Sequence, residues 1–448
     1  MKILVINGSP KGANSITLHT ALYLEKRFPE HSFELLHAGQ QIKSLERDFA
    51  PALEAIERAD LLLFAYPVYT FIAPCQLHRF IELMKEHGAA AQGKYATQIT
   101  TSKHFYDVTA HHYVRDNCLD MGMKVLTGLS ADMDDLLCDK GRAQAEAFFA
   151  RVCFEMGHAM HEPDRLVRGE HVPVPATPAA QSALDKPGDV VIVTDCDEQD
   201  AQLSGMIARF QAVLPRNSRV VNLRDFPFKG GCLGCFNRAS DGKCIYKDGF
   251  DDYLRGTIQT GEAIVYAFTI RDHSMGALFK TYDDRQFCNG HRTVTMGMPM
   301  GYLVSGAYSR ESNLQMILEA RAQVGANPLC GVATDERDTD AQIDQLALKL
   351  DYALRTRYAQ PQNFYGVGGM KIFRDLIYQM RGMMRADHRF YKQHGQYDFP
   401  QKKKGTILKM YLVGMLIASP AIRRKMGNAM NEGMIAPYKK AIKEAQER

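Results

Sequence analysis

Apolar and polar positions fall along this chain in blocks that change period. Short apolar runs at Ile3–Ile6, Phe33–Leu36, Leu61–Tyr66, Tyr95–Thr100 and Lys124–Leu129 have the length of buried strands. Between them, near Ser15–Arg27, Phe49–Arg58, Cys75–Lys85, Asp107–Leu119 and Arg142–Met156, apolar residues recur at helical spacing. Strands alternating with helices predict a doubly wound parallel α/β sheet over residues 1–163. Its ligand should sit at the carboxyl ends of the strands.

Residues 164–188 are rich in Pro and small residues and read as a linker. The alternation then restarts. Strands are predicted at Val190–Thr194, Arg219–Leu223, Glu262–Thr269, within Thr293–Ser305 and at Pro328–Ala333. Helices are predicted at Asp200–Leu214, after the third strand through Phe287, around Ser312–Gln323 and around Ala341–Arg357. The second set repeats the first about 185 residues on, so residues 189–358 form a second five-stranded parallel domain. From 359 to 448 only helical spacing remains, at Lys371–Met384 and Ile407–Ile417.

Charge separates that tail from the body. From Pro361 to Arg448 there are 17 Lys and Arg against 6 Asp and Glu, an excess of +11; with +4 overall, the first 360 residues carry −7. The total is too small to predict nucleic-acid binding. The first apolar run is too short for a signal peptide, and the ten cysteines are mostly scattered, so a cytoplasmic protein with reduced thiols is expected. The longest apolar stretch, Met410–Ile422, is too short to span a bilayer. The tail is expected to pack on the body, to contact a membrane surface or protein, or to stay disordered.

The first strand runs into Asn7-Gly8-Ser9-Pro10-Lys11 and a helix opening with Asn14, Ser15, Ile16 and Thr17. A strand, a hydroxyl-rich loop and a helix N-terminus make an anion site, because free N–H groups and the positive helix end converge there. The loop is neither GxGxxG nor GxxxxGK[ST]. GSPK followed by S-x-T resembles the FMN-phosphate loop of the flavodoxin-like NAD(P)H-dependent FMN reductases and iron–sulfur flavoproteins. The third strand end, Pro67-Val68-Tyr69-Thr70-Phe71 through Pro74, resembles that family's flavin loop. There, aromatics can cover a flat ring and backbone groups can meet its polar edge. The resemblance implies two tandem flavodoxin-like domains plus a helical C-terminal segment. It also implies FMN held by Ser9, Lys11, Asn14, Ser15, Ile16, Thr17, Pro67, Val68, Tyr69, Thr70, Phe71, Thr101, Ser102 and His104. Lys103 and His104, with Cys232 and Cys235, are the candidate catalytic groups. The pairs His111-His112 and Asp134-Asp135 read as polar helix faces, not metal ligands.

At the matching first loop the second half reads Thr194-Asp195-Cys196-Asp197-Glu198-Gln199-Asp200. Four carboxylates would repel a phosphate, so a degenerate site is expected. This half keeps Gly231-Cys232-Leu233-Gly234-Cys235 and Gly242-Lys243-Cys244, which resemble the family's cysteine loop. Arg238 stands where iron–sulfur members carry a further cysteine. Cys232, Cys235 and Cys244 therefore supply three ligands where a [4Fe–4S] cluster or a structural zinc wants four. Asp241 or a distant thiol could complete the set; otherwise the loop carries free or redox-active thiols, which is the expectation. Relatives place this loop near a neighbouring subunit's flavin, so a tandem chain could form an internal pseudo-dimer, with or without a homodimer.

The resemblance implies an oxidoreductase passing reducing equivalents from NAD(P)H through FMN to a quinone, nitro compound, flavin or similar acceptor. The alternatives are an electron-transfer iron–sulfur flavoprotein serving protein partners without a nicotinamide site, and a non-catalytic assembly protein that kept the fold.

Overall fold

A computed structural model describes residues 1–180, 186–235, 237–238, 242–419, 435, 438–439 and 443. The first domain contains β1 (Lys2–Asn7), α1 (Ile16–Arg27), β2 (Ser32–Leu36), α2 (Ala38–Leu45), α3 (Ala50–Arg58), β3 (Leu61–Pro67), α4 (Cys75–Glu86), β4 (Tyr95–Ser102), α5 (Asp107–Asp120), β5 (Lys124–Val125), β6 (Leu129–Asp132) and α6 (Asp139–Gly157). Its parallel sheet has the order β2-β1-β3-β4-β5, with β6 also pairing with β4. The single fifth strand expected at Lys124–Leu129 is thus two short strands along one neighbour. Central β1 and β3 are buried on both faces, as strands covered by helices on each side must be.

The second domain contains β7 (Val190–Thr194), α7 (Ala201–Val213), β8 (Ser218–Asn222), β9 (Ala263–Thr269), α8 (Gly276–Arg285), β10 (Met300–Ser305), α9 (Ser312–Gly325), β11 (Leu329–Thr334) and α10 (Thr339–Thr356). Its parallel order, β8-β7-β9-β10-β11, repeats the first. Both sheets follow the flavodoxin-like 2-1-3-4-5 order, which puts the switch point at the ends of their first and third strands.

The two halves face each other through matched elements. β3 and β9 lie 202 residues apart. So do the two turns that follow them, Tyr69–Ile72 and Arg271–Ser274, each closed by an antiparallel bridge. The central residues of both turns are left-handed: Thr70 and Phe71 at φ +46° and +72°, Asp272 and His273 at +51° and +62°. The helices that follow, α4 and α8, pack together. Each caps the other: Cys75 N–H donates to Asp284 Oδ2 at 2.8 Å, and Ala277 N–H donates to Glu82 Oε1 at 2.7 Å. A carboxylate at a helix start satisfies orphan donors and favours the dipole. The core of the first domain continues across the interface into Ile317, Ala320 and Val324 of α9.

The segment read as a linker lies along the second domain. Val174 N–H donates to the Asp335 carbonyl at 2.7 Å, Thr177 N–H to Asp340 at 2.9 Å, and Arg310 to the Gly169 carbonyl at 2.6 Å. These partners follow β10 and β11, so the strap crosses the carboxyl edge of the second sheet.

The helical segment begins with α11 (Phe364–Gln379), which packs against α9. Gly366 permits that approach, since a Cβ there would lie 2.7 Å from the Gln323 carbonyl oxygen. The chain divides into two compact units, Met1–Phe390 and Tyr391–Arg448. The helix α12 (Arg385–Gln393) runs across the division, and the second unit contains α13 (Lys404–Ile417). Among the described residues, no helix is long and apolar enough to cross a membrane.

Candidate functional site

At the carboxyl end of the first sheet, β1 stops at Asn7 because the chain turns back on itself. The Asn7 side chain accepts from Ser9 N–H at 3.2 Å and donates to the Gly12 carbonyl at 2.9 Å. Ser15 caps α1, its hydroxyl accepting from Leu18 N–H at 3.3 Å. Ser9, Ser15 and Thr17 are all nearly inaccessible, and the Thr17 and Thr101 hydroxyls lie 2.5 Å apart. Burial lowers the Lys11 ammonium, while the Cys232 and Cys235 thiols act to raise it. A small loop of buried hydroxyls with one ammonium at a helix start suits a phosphate dianion.

These groups open into a cavity of about 570 Å³, within the range that holds a drug-sized ligand or cofactor. Three strand-end loops of the first domain line it: Ser9, Lys11 and Ser15–Thr17; Pro67–Phe71; and Thr101–Lys103. The Tyr69–Phe71 turn is anchored from beyond the first domain. Lys280 Nζ donates to the Tyr69 carbonyl at 3.0 Å, and the Thr70 hydroxyl donates to Asp284 at 2.6 Å. Lys280, Asp283 and Asp284 are completely buried, and Asp283 is also paired with Arg321.

Two residues expected at the cofactor lie elsewhere. Asn14 is exposed outside the cavity, because Ser15 rather than Asn14 caps the helix. The His104 side chain is turned away toward Asp107, 2.8 Å from its carboxylate, and is half exposed. Lys103 reaches the cavity rim, but its ammonium is held by Asp132 at 2.7 Å and Asp134 at 3.0 Å. Burial opposes that charge, and the two carboxylates outweigh it and raise the ammonium. Of the pairs read as polar faces, His111 is partly buried, 2.8 Å from the Thr100 hydroxyl, and burial lowers it to about 4.

The opposite wall comes from distant sequence. Cys232, Gly234 and Arg238 of the cysteine loop face the cavity. A Cβ on Gly234 would lie 2.0 Å from the Tyr69 hydroxyl, so this loop sits directly on the first domain's flavin-type turn. Asp248 clamps the loop by pairing with Arg285 at 2.7 Å, and Arg285 also donates to the Gly230 carbonyl at 2.9 Å. Further wall residues are Phe287, His291, Arg292 and Thr293 after α8, with Phe373, Leu376, Met380 and Met384 closing the cavity from the helical segment. Sequence reasoning missed all of these. Nothing local marks them, because each belongs to a helix end or apolar stripe that reads as ordinary core.

Cys232, Cys235, Cys244 and Cys288 line one small neighbouring cavity with Arg238, Lys243 and Arg285. Cys288 is distant in sequence from the other three and shares this cavity with them. Burial pushes the Cys232 thiol up to about 11 and the Cys288 thiol up to about 12. Among the described residues, no three His, Cys, Asp or Glu side chains are placed to hold one metal ion. Asp241 lies outside the described residues.

The matching loop of the second domain is closed on itself. Asp200 occupies the helix-cap position that Ser15 holds in the first, accepting from Leu203 N–H at 3.0 Å and from the Thr269 hydroxyl. Asp197 pairs with Arg224 at 3.2 Å and lies 3.7 Å from Arg271. Burial pushes Asp195 up to about 6. A carboxylate at the cap places negative charge where the first domain offers hydroxyls.

Residues 1–134 match the model of the family described as NADPH-dependent FMN reductase. An iron–sulfur flavoprotein of Archaeoglobus fulgidus is 25% identical over 175 residues, 37% of this chain and 78% of that protein. An NAD(P)H:quinone oxidoreductase from Methanothermobacter marburgensis aligns over 36% of this chain and 99% of its own, at 15% identity and a TM-score of 0.29. The general stress protein 14 of Treponema denticola, solved in complex with FMN, aligns over 34% of this chain and 98% of its own, at 11% identity and a TM-score of 0.27. The likeness first suggested by the GSPK loop and the Tyr69 turn therefore has its counterpart in the match of residues 1–134 to that family's model.

Proposed function

We propose that the cavity holds FMN and that the chain is an NAD(P)H-dependent oxidoreductase delivering reducing equivalents to a small acceptor of the quinone, nitro or flavin type. The observation that carries this reading is the convergence of the three strand-end loops on one cavity, lined by the Ser9, Ser15 and Thr17 hydroxyls, Lys11 and the Tyr69–Phe71 turn. FMN, when bound, supplies two-electron hydride chemistry that no side chain can. Ser9, Ser15, Thr17 and Lys11 would hold the phosphate. The Pro67–Phe71 backbone and the Thr101 and Ser102 hydroxyls would orient the ring. The cysteine loop and α11 would keep water from the ring and leave an apolar, cation-flanked space for the second substrate.

The test is an FMN titration of the flavin-stripped full chain followed by nicotinamide oxidation under air. One FMN per chain, bound about 10–100-fold more weakly by Lys11→Met, is expected. Steady NADH or NADPH oxidation should follow. Flavin binding without nicotinamide oxidation would leave an electron carrier instead. No flavin binding would overturn the assignment.

A further inference from the structure

The second compact unit carries a surface that the flavin reading does not use. Helix α13, Lys404–Ile417, has two adjacent apolar stripes at i, i+4 spacing, Ile407–Tyr411–Met415 and Leu408–Leu412–Leu416. All six side chains are exposed, from 42% at Ile407 to 70% at Tyr411. They cover about half of the helix circumference; the other half carries Thr406, Lys409 and Gly414 together with the exposed Met410 and the half-buried Val413, so apolar surface continues around the helix. An uncovered apolar face of this size on one helix calls for an apolar partner.

Charge narrows the choice of partner. From Phe399 to Asn431 the sequence has seven Lys and Arg and no Asp or Glu. Lys402, Lys403 and Lys404 are exposed at the start of the helix. A second copy of the same helix would bring two such basic runs together and be repelled. A nucleic acid would match the charge but leave the apolar stripes in water. An anionic bilayer surface satisfies both, with the stripes in the acyl boundary and the lysines among the headgroups. At about 1.5 Å per residue the 14-residue helix is about 21 Å long, short of the ~30 Å hydrocarbon core, so it would lie in the interface and not span it.

We propose that α13, with Lys402, Lys403 and Lys404 at its start, forms an interfacial anchor for membranes containing anionic phospholipid. The anchor is independent of the flavin assignment. Because the same chain carries the cavity, docking would hold that cavity where lipid-soluble acceptors concentrate.

The chain contains no tryptophan, so Leu412→Trp places a single emitter on the proposed lipid face. The full-length FMN-loaded protein is titrated with vesicles of phosphatidylcholine containing about one-third phosphatidylglycerol, and with pure phosphatidylcholine vesicles. A blue shift and co-sedimentation with the anionic vesicles are expected, reversed by raising the salt. Changing Lys402, Lys403 and Lys404 together to Gln should weaken binding on the order of 100-fold, at about fivefold per charge. Binding to both vesicle types alike would overturn the role of charge. No shift with either, or a dimer on gel filtration that Leu408→Ser with Leu412→Ser dissociates, would overturn the anchor and assign the face to a protein contact.

Discussion

The Lys280 ammonium of the second domain donates to the Tyr69 carbonyl of the first at 3.0 Å, with Asp283 3.5 Å away and Asp284 in direct contact. The flavin-type turn is therefore held in shape by a cation that the first domain does not possess. Removing one partner of a buried charge pair costs about 3–5 kcal/mol, mostly because the other is stranded. Lys280→Met is expected to lose stability in that range by urea unfolding and to weaken FMN binding as the turn relaxes. Adding Asp284→Asn, which removes the stranded charge but keeps an acceptor for Cys75 N–H, should restore part of the stability. A Lys280→Met protein as stable as the parent would show that the turn holds itself.

His273 joins the halves by charge. Its ring lies 2.9 Å from Asp120 of the first domain and 3.0 Å from Glu311 of the second. Burial works against its charge, but the two carboxylates prevail and raise it to about 9. A group raised in the folded state adds stability that is fully present below its unfolded value, about 6.5, and is lost as pH rises through the folded value. Melting temperature should therefore fall between about pH 6.5 and 9, by the equivalent of about 2–3 kcal/mol. His273→Gln should flatten that slope; an unchanged slope would assign it to other groups.

Cys232 faces the same cavity as Lys11 and Tyr69, whereas Cys138 is exposed elsewhere. Bound FMN should slow alkylation of Cys232 at least about tenfold and leave Cys138 unaffected, since a ligand filling a pocket removes reagent access. Peptide mapping after timed iodoacetamide treatment, with and without FMN, reads both sites together. Equal protection of the two cysteines would point to a global change instead.

Gly39 lets α2 press against the phosphate-type loop: a Cβ there would lie 2.3 Å from the Gly8 carbonyl oxygen. Backbone cannot swing aside as a side chain can. Gly39→Ala is expected to cost about 1–3 kcal/mol and to weaken FMN binding by displacing Ser9 and Lys11. Calorimetry on the flavin-stripped and FMN-loaded forms separates the two effects, and unaltered FMN affinity would mean that the loop accommodates the methyl group.

Much of the fold was legible because its signals are local. Ile3–Ile6 and Val190–Thr194 read as buried strands from their apolar runs, and each lies inside its sheet between two parallel neighbours. The repeat was visible as a recurring period. The fifth strand of the first domain read less well, because Lys124–Leu129 is interrupted and pairs in two pieces. Residues 164–188 read as a spacer from their proline content, yet the Gly169 carbonyl and the Val174 and Thr177 N–H groups are bonded to Arg310, Asp335 and Asp340 of the second domain. Proline content limits helix and sheet; it does not report what the extended backbone bonds to.

For the site, loop chemistry and wall chemistry behave differently. Ser9, Lys11, Ser15 and Thr17 are neighbours in sequence, and the turn that gathers them is encoded in the same few residues. By itself the sequence determined two matched parallel domains, one hydroxyl-rich anion loop, one carboxylate-rich counterpart and a basic helical tail. Only the tertiary structure decided that Cys232, Lys280 and Phe373 converge on the first domain's loops. Periodicity and turn chemistry act over a few residues, whereas that convergence depends on how α4 and α8 cap one another across 195 and 209 residues of chain.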